Sequence, residues 1–219
     1  MRILLIENDT PHGQNLKSSL SEIGYTVDWL QDAQNLEQAL NNDNFDVFII
    51  NTDLPHKSGI EVLREIRTRS TTPAIAISHR DKIEEKVTAL DTGADDYLTK
   101  PLQLEELAAR LRAVIRRASG RAETIINYGQ ITLDPSSHMV YRKDKQINLS
   151  PKEFVLLHKL LENTGRVLSR EQLAQTLYGW ENEIDSNAVE VHIHNLRKKL
   201  GLKLIRTIRG VGYMIDRTK

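Results

Sequence analysis

The sequence contains no cysteine, and only 5% of its residues are aromatic. The absence of cysteine excludes disulfide bonds, zinc sites built from thiolates and redox sensing by thiols. The chain also lacks any apolar run near the roughly 20 residues that a membrane-spanning helix needs. Hydrophobic residues make up 39% and charged residues 27%, which is the composition of a globular protein and not of a disordered one.

The first residues, MRILLIEND, carry one arginine and a short apolar run and then turn acidic. They contain no small-residue cleavage site, so we do not expect a secretory signal. This start, together with the missing apolar spans, predicts a cytoplasmic protein that does not attach to a membrane.

A length of 219 residues suits two domains. The net charge of zero hides an asymmetry: residues 1–118 hold 14 Lys and Arg against 19 Asp and Glu, and residues 119–219 hold 16 against 11. The first part therefore has a net charge of −5 and the second a net charge of +5. A basic second half points to a phosphate-rich partner such as nucleic acid, although many domains of this charge bind none.

Short apolar runs recur along the first half and alternate with stretches of helical periodicity. This order of strand and helix predicts a doubly wound α/β fold, with a parallel sheet covered by helices on both faces. The predicted strands are Arg2–Ile6, Tyr25–Leu30, Asp46–Ile50, Pro73–Ile77 and Asp96–Leu98.

Polar residues follow these strands at the ends where open parallel sheets form their sites. They are Glu7, Asn8 and Asp9 after the first strand, Asn51 and Asp53 after the third, Ser78 after the fourth, and Lys100 with Pro101 after the fifth. Together with Asn51-Thr-Asp-Leu-Pro55, the segment Gly93–Pro101 and Gly59 at the start of the third helix, they resemble the receiver domain of bacterial two-component response regulators. The resemblance implies a (βα)5 receiver domain over residues 1–117.

Two positions depart from the pattern of that family. The resemblance implies that two acids after the first strand hold Mg²⁺ and that an Asp four residues before the proline accepts phosphate. The acid pair falls here on Glu7 and Asn8, and the acceptor position falls on Asn51. Because an amide is a far poorer nucleophile than a carboxylate and a poorer Mg²⁺ ligand, we expect no phosphorylation at Asn51 and weak or absent Mg²⁺ binding. No cofactor is therefore expected.

Other positions of the pattern are kept. Ser78, Tyr97 and Lys100 match the switch hydroxyl, the rotating aromatic residue and the phosphate-pairing lysine of the family. His79 stands where relatives keep a small residue. This bulky ring fits a site that is no longer used, but it also fits an ordinary solvated histidine in a loop. Asp53 is an alternative acceptor, but the family uses the backbone carbonyl at this position and the side chain is expected to point elsewhere. An engineered Asn51 is a further alternative, and Asn8 favours natural divergence.

The fifth predicted helix, Gln103–Arg117, carries a charged stripe opposite its apolar face. The apolar face is formed by Leu104, Leu107, Leu111 and Ile115, and the charged stripe by Glu106, Arg110 and Arg117. Such a stripe is usually solvated surface. In the resembled subfamily it pairs with the fourth helix and fifth strand of a symmetric partner, and all six charges here have the required sign. The implied pairs in a homodimer are Lys86 with Glu106, Asp96 with Arg110, and Asp95 with Arg117.

The polar segment 118–124 is predicted to be a linker, and residues 126–149 a small antiparallel sheet. Ser150-Pro-Lys-Glu153 and Ser169-Arg-Glu-Gln172 each have the sequence of a helix start. A third helix is predicted from about Ser186 to Leu200, ended by Gly201.

This third helix is followed by a strand pair around a glycine-rich turn, Leu204–Ile215. A helix followed by a basic hairpin is the winged helix-turn-helix arrangement, an α+β domain. The stretches 189–200 and 206–213 resemble the C-terminal domain of OmpR/PhoB-type response regulators, which implies a winged-helix DNA-binding domain over residues 125–219.

The resemblance supplies the candidate DNA contacts of this domain. Asn187, His194, Asn195 and Lys198 are the base or groove candidates, and Arg197, Lys199, Arg206 and Arg209 are the phosphate or wing candidates. His192 and His194 do not form a metal pair, because residues two apart on a helix point roughly 200° from each other.

These patterns predict a dimeric, sequence-specific transcription regulator that binds double-stranded DNA without phosphorylation, and not an enzyme. RNA polymerase is a further partner implied by the resemblance, whereas the missing acceptor argues against a histidine kinase. Two alternatives stay open: a phosphorelay component that uses Asp53, and an interaction module that sequesters another protein.

Overall fold

The computed structural model describes residues 1–180 and 187–217. The chain divides into two compact units, Arg2–Gly120 and Arg121–Lys219. The division falls inside the segment 118–124, for which we predicted a linker. No helix in the described part of the chain is both long enough and apolar enough to cross a membrane.

The first unit is a five-stranded sheet with the strand order β2-β1-β3-β4-β5, in which every paired strand is parallel. Each predicted strand is present, with bounds that differ by one residue at most ends. The elements are β1 (Arg2–Ile6), α1 (Thr10–Glu22), β2 (Thr26–Leu30), α2 (Leu36–Asn42), β3 (Val47–Asn51), α3 (Gly59–Arg69), β4 (Ala74–Ser78), α4 (Ile83–Thr92), β5 (Asp96–Thr99) and α5 (Leu104–Ala118). The predicted α/β receiver fold is confirmed.

The central strands β1, β3 and β4 are buried along their whole length, as expected for strands covered on both faces. Helix α3 starts tightly against the end of β3. A Cβ atom on Gly59 would lie 2.1 Å from the backbone oxygen of Asn51, so only glycine permits this approach. The close packing fixes the backbone at Asn51, where the candidate site begins.

An arginine lies buried at the start of β1, which the sequence patterns did not predict. The side chain of Arg2 is 1% exposed, and its guanidinium pairs with Asp28 at 2.6 Å and with Asp43 at 2.8 Å. It also lies 4.7 Å from the centre of the Phe45 ring. These contacts connect the first strand to β2 and to the segment that leads into β3.

The described residues of the second unit form two small sheets and three helices. Its elements are β6 (Ile126–Tyr128), β7 (Ile131–Asp134), β8 (Met139–Arg142), β9 (Lys145–Gln146), α6 (Pro151–Glu162), β10 (Leu168–Ser169), α7 (Arg170–Tyr178), α8 (Ala188–Leu200), β11 (Arg206–Ile208) and β12 (Gly212–Met214). Strands β6 to β9 form an antiparallel sheet, and β11 and β12 form a hairpin with β10 beside β12. This is the predicted winged-helix domain.

The predicted helix starts of this unit are confirmed by their caps. Ser150 and Glu153 form a capping box at α6, and Ser169 and Gln172 form one at α7. Helix α8 ends at Gly201 as expected. Its predicted start at Ser186 lies outside the described residues. The apolar stripe of α8 is buried in the core of the unit, at Val189, Ile193, Leu196 and Leu200.

Candidate functional site

Four polar side chains from different strands meet at the carboxyl edge of the five-stranded sheet. Glu7 follows β1, Asn51 ends β3, Ser78 ends β4 and Lys100 follows β5. The ammonium group of Lys100 lies 2.6 Å from a carboxylate oxygen of Glu7, and both side chains are almost fully buried. The predicted gathering of these residues is therefore present, but the lysine pairs with the acid of β1.

Asn51 is held by hydrogen bonds on both sides of its amide group. Its Nδ2 donates to Glu7 Oε1 at 2.8 Å and to Asn8 Oδ1 at 2.9 Å. Its Oδ1 accepts from the backbone N–H of Asp53 at 3.1 Å. Exchanging the two amide atoms would place an oxygen against two acceptors, so this network defines the orientation of the side chain.

The pocket does not fit a Mg²⁺ ion. The amide nitrogen of Asn51 lies between the oxygens of Glu7 and Asn8, where it donates hydrogen bonds in the place of a cation. The one carboxylate of this set, Glu7, is already paired with Lys100 and also accepts from the backbone N–H of Asp9 at 3.1 Å. Mg²⁺ prefers carboxylates and water in octahedral geometry. Among the residues that the structure describes, no cluster of three or more His, Asp or Glu side chains suits a metal ion.

His12 borders the same pocket, with Nε2 at 3.8 Å from Glu7 Oε2. Burial, and after it the nearby charge of Lys100, lowers the pKa of His12 below its usual value. The lowered pKa favours the neutral form of the ring, so the charged contact among these three side chains is the ion pair of Glu7 with Lys100.

Asp53 turns toward the end of β4. One oxygen, Oδ2, accepts from the hydroxyl of Ser78 at 3.0 Å and from the backbone N–H of His79 at 3.2 Å. The other, Oδ1, lies 3.0 Å from Nε of Arg80. Our expectation that this side chain points away from the site is wrong, because the loop after β4 offers three donors to its carboxylate.

Tyr97 and the start of α4 are tied to the same loop. The hydroxyl of Tyr97 donates to the backbone oxygen of Arg80 at 2.8 Å, and Nη1 of Arg80 lies 3.2 Å from Glu85 Oε1. The loop between β4 and α4 therefore contacts the segment after β3, strand β5 and helix α4 through one residue, Arg80, which we did not predict.

The six charged side chains of the predicted dimer surface lie on α4, α5 and the start of β5. Arg110 pairs within the chain with Asp96 at 2.9 Å and with Glu106 at 2.7 Å. Asp95 pairs with Arg67 at 3.0 Å, and Lys86 pairs with Asp81. Arg117 bonds the backbone oxygen of Ala113 at 3.3 Å. The predicted pairs between subunits stay a prediction, and each would compete with a contact inside the chain.

An exposed apolar stripe on α4 accompanies these charges. Ile83, Val87 and Leu90 are 73%, 48% and 45% exposed. Their spacing places them within about 60° of one another on the helix, next to Lys86. The spacing was visible in the sequence, but only the structure shows that this face of α4 is turned outward.

The predicted DNA face of α8 is at the surface of the second unit. Val191, His194 and Lys198 are exposed and Asn195 is half-buried, on the side of the helix opposite to its core stripe. Arg209 is exposed in the turn between β11 and β12. Helix face and hairpin turn thus present the polar and basic groups that the winged-helix prediction requires, together with Asn187 at the N-cap of α8.

Three predicted phosphate candidates have partners inside the unit. Arg197 donates to the backbone oxygen of Ile205 at 3.0 Å and to the hydroxyl of Thr207 at 2.7 Å. Arg206 pairs with Asp216 at 2.7 Å. Lys199 lies 2.6 Å from the buried carboxylate of Glu153. Their DNA contacts stay a prediction, and in this structure Arg197 and Lys199 connect α8 to the hairpin and to α6.

We expect the Lys199–Glu153 pair to make the second unit sensitive to acid. Burial alone raises the pKa of Glu153, but hydrogen bonds from Lys199 and from the Ser150 amide outweigh it and lower the pKa overall. A lowered pKa stabilises the fold above the usual Glu value of about 4.3, and this contribution disappears as the pH falls through the lowered pKa.

Lys199→Met should therefore lower the free energy of unfolding of this unit by about 1–2 kcal/mol at pH 7, with a smaller loss at pH 4. Calorimetric unfolding at both pH values checks this, with Lys145→Met on the exposed strand β9 as the control. Equal losses at the two pH values would contradict the assignment.

Comparisons with known proteins agree with both units. Residues 3–112 match the response regulator receiver domain family, and residues 144–215 match the family described as transcriptional regulatory protein, C terminal. The chain is 48% identical over 217 residues to the response regulator protein PmrA of Pseudomonas aeruginosa, covering 99% of this chain and 98% of that protein. It is 44% identical over 216 residues to the transcriptional regulatory protein QseB of Escherichia coli, covering 98% and 99%.

A solved structure supports the assignment of the first unit. The Francisella response regulator 1452 receiver domain is 31% identical, with a TM-score of 0.51, and covers 53% of this chain and 98% of that structure. The order of receiver and C-terminal regulatory domain is the same as the order of the two folds described above. The chain therefore belongs to the OmpR/PhoB-type response regulators, which are DNA-binding transcriptional regulators and not enzymes.

Proposed function

We propose that this response regulator binds DNA as a homodimer without being phosphorylated. The observation that carries the proposal is the amide of Asn51, which donates hydrogen bonds to Glu7 and Asn8. The resemblance described above assigns the acceptor position to this residue. A group that donates in this way is neither a nucleophile for phosphate nor a ligand for Mg²⁺. The hydrogen bonds of Asn51 therefore support a function that does not depend on phosphoryl transfer to this residue.

The proposed dimer uses α4, β5 and α5. An apolar stripe of Ile83, Val87 and Leu90 beside charges of both signs has the composition of an interface, with apolar contacts at its centre and ion pairs at its rim. Because opposite charges lie on the two halves of this face, a two-fold axis brings each base of one subunit to an acid of the other.

The proposed DNA surface is the exposed face of α8 with the turn at Arg209. Side chains such as Asn195 and Lys198 reach base edges from a helix in the major groove, and Val191 offers an apolar contact to a thymine methyl group. We expect Arg209 at the hairpin turn to contact the phosphate backbone, which contributes affinity but no sequence information.

Protein that has not been exposed to a phosphate donor should protect discrete genomic sites. Two substitutions should change its DNA binding in different ways. Arg209→Ala should weaken binding to all sequences and lower the salt dependence by about one released ion. Asn195→Ala should weaken binding about tenfold or more at the selected site and relax its preference at one base pair. Footprinting and titrations at several salt concentrations measure both effects, with Lys145→Ala as the control on the antiparallel sheet.

If footprinting finds no protected site, the proposal is wrong and the interaction module is favoured.

The contact of the Asp53 carboxylate with Ser78 and the N–H of His79 keeps a second function open, a phosphorelay that uses Asp53 as acceptor. Nε of Arg80 lies 3.0 Å from Oδ1 of this carboxylate, and because an ion pair of this kind makes a carboxylate a weaker nucleophile, we place this function second.

A further inference from the structure

We propose that Asp53 is a positioning residue, a built-in anion that holds the β4–α4 loop and through it the dimer surface. The inference rests on the proposed function, in which no phosphoryl group reaches the pocket. It assigns to an unmodified carboxylate the task of organising the loop that follows β4.

Three donors from consecutive residues converge on this carboxylate. They are the hydroxyl of Ser78 at 3.0 Å, the backbone N–H of His79 at 3.2 Å and Nε of Arg80 at 3.0 Å. A hydroxyl, an amide and a guanidinium on one short segment form a binding site for an oxyanion, which we call the anion site. In this chain the oxyanion is the carboxylate of Asp53.

The other positive charge of the pocket is committed elsewhere. Lys100 lies 2.6 Å from Glu7, and both side chains are buried. The backbone N–H of Asp53 donates to the amide oxygen of Asn51 at 3.1 Å, which fixes the backbone from which the carboxylate extends. The pocket therefore has two parts. One is the ion pair of Glu7 and Lys100, whose net charge is zero, and the other is the anion site formed by Asp53 and the residues at the end of β4.

The anion site is connected to two elements of the dimer surface. The hydroxyl of Ser78 also accepts from the backbone N–H of Arg80 at 3.1 Å, so a hydrogen bond joins the two residues that flank His79. Tyr97 on β5 donates to the backbone oxygen of Arg80 at 2.8 Å, and Glu85 on α4 lies 3.2 Å from its guanidinium.

Removing the anion would leave the buried Ser78 hydroxyl and the His79 N–H without this acceptor, and would leave Glu85 as the one remaining acid of the two that pair with Arg80. With fewer contacts to fix the loop, it would hold β5 and α4 less firmly in this arrangement. Because the carboxylate is permanent, the surface would be set constitutively, which is the behaviour expected of a regulator that does not need phosphate.

The test is chemical rescue in the full-length protein. Asp53→Ala empties the anion site and should weaken self-association about tenfold or more, measured by sedimentation equilibrium. Millimolar inorganic phosphate should restore association by binding in the anion site, whereas chloride at the same ionic strength should not. Asp53→Ala/Ser78→Ala lacks the hydroxyl of the anion site and should not respond to phosphate.

Two controls separate this inference from loss of the fold and from failure of the proposed function. Thermal unfolding of Asp53→Ala and of the isosteric Asp53→Asn shows whether the variants are folded, and Asp53→Asn should weaken association without phosphate rescue. Unchanged association in both variants, or a loss that phosphate does not restore in Asp53→Ala, would overturn the inference. A wild-type protein that is monomeric at all concentrations would instead overturn the proposed dimer.

Discussion

Incubated with Mg²⁺ and acetyl phosphate, the wild-type protein should keep its unmodified mass, whereas Asn8→Asp/Asn51→Asp should gain one phosphoryl group. The double substitution restores a carboxylate nucleophile at the end of β3 and a second acid beside Glu7. It also removes the amide nitrogen that donates to Glu7 and Asn8. Intact-mass measurement reads the result directly, because each phosphoryl group adds a fixed mass.

The single variants assign the two parts of this effect. Asn51→Asp alone supplies the nucleophile but leaves Asn8 as an amide, so the acid pair after β1 is incomplete and we expect slow and incomplete modification. Asn8→Asp alone supplies an acid without a nucleophile and should stay unmodified. These two results would show that the nucleophile and the metal site are both missing in the unsubstituted chain.

A phosphoryl group on the wild-type protein would reject the phosphate-independent function. Asp53→Asn then identifies the acceptor, because loss of the modification in this variant would assign the phosphorelay to Asp53. Wild-type DNA binding measured before and after acetyl phosphate provides the matching functional comparison, and it should not change.

The two folds were predictable because their signals are local. Apolar runs of five residues mark the buried strands, and the capping boxes at Ser150 and Ser169 mark helix starts within four residues of sequence. The gathering of Glu7, Asn51 and Ser78 follows from the order of parallel strands. These features need no knowledge of side-chain direction.

The contacts that the sequence did not predict join distant residues or depend on side-chain direction. Lys100 and Glu7 are 93 residues apart in the chain, and Lys199 and Glu153 are 46 apart. Asp53 points to Ser78 because donors are available there, which no spacing in the sequence reveals. For the same reason, nothing in the sequence distinguishes Arg2 from an ordinary exposed arginine near the N-terminus, although its side chain is buried between two acids.

The dimer surface should respond to charge reversal in a way that separates contacts between subunits from contacts within one. Arg110→Glu and Asp96→Arg should each weaken self-association on the order of 100-fold, because each places like charges opposite each other twice in a symmetric dimer. Arg110 and Asp96 also pair inside one chain at 2.9 Å, so a double variant would restore both kinds of contact and decide nothing.

A mixture of the two single variants distinguishes them. In the mixed dimer, Asp96 of the first chain faces Arg110 of the second, and the introduced Arg at position 96 faces the introduced Glu at position 110. Both pairs between subunits are attractive, while each chain keeps two like charges in its own internal pair. Sedimentation of the full-length proteins should therefore show association of the mixture but not of either variant alone. If the mixture stays monomeric, the Arg110–Asp96 pair acts only within the chain, and the proposed surface is wrong.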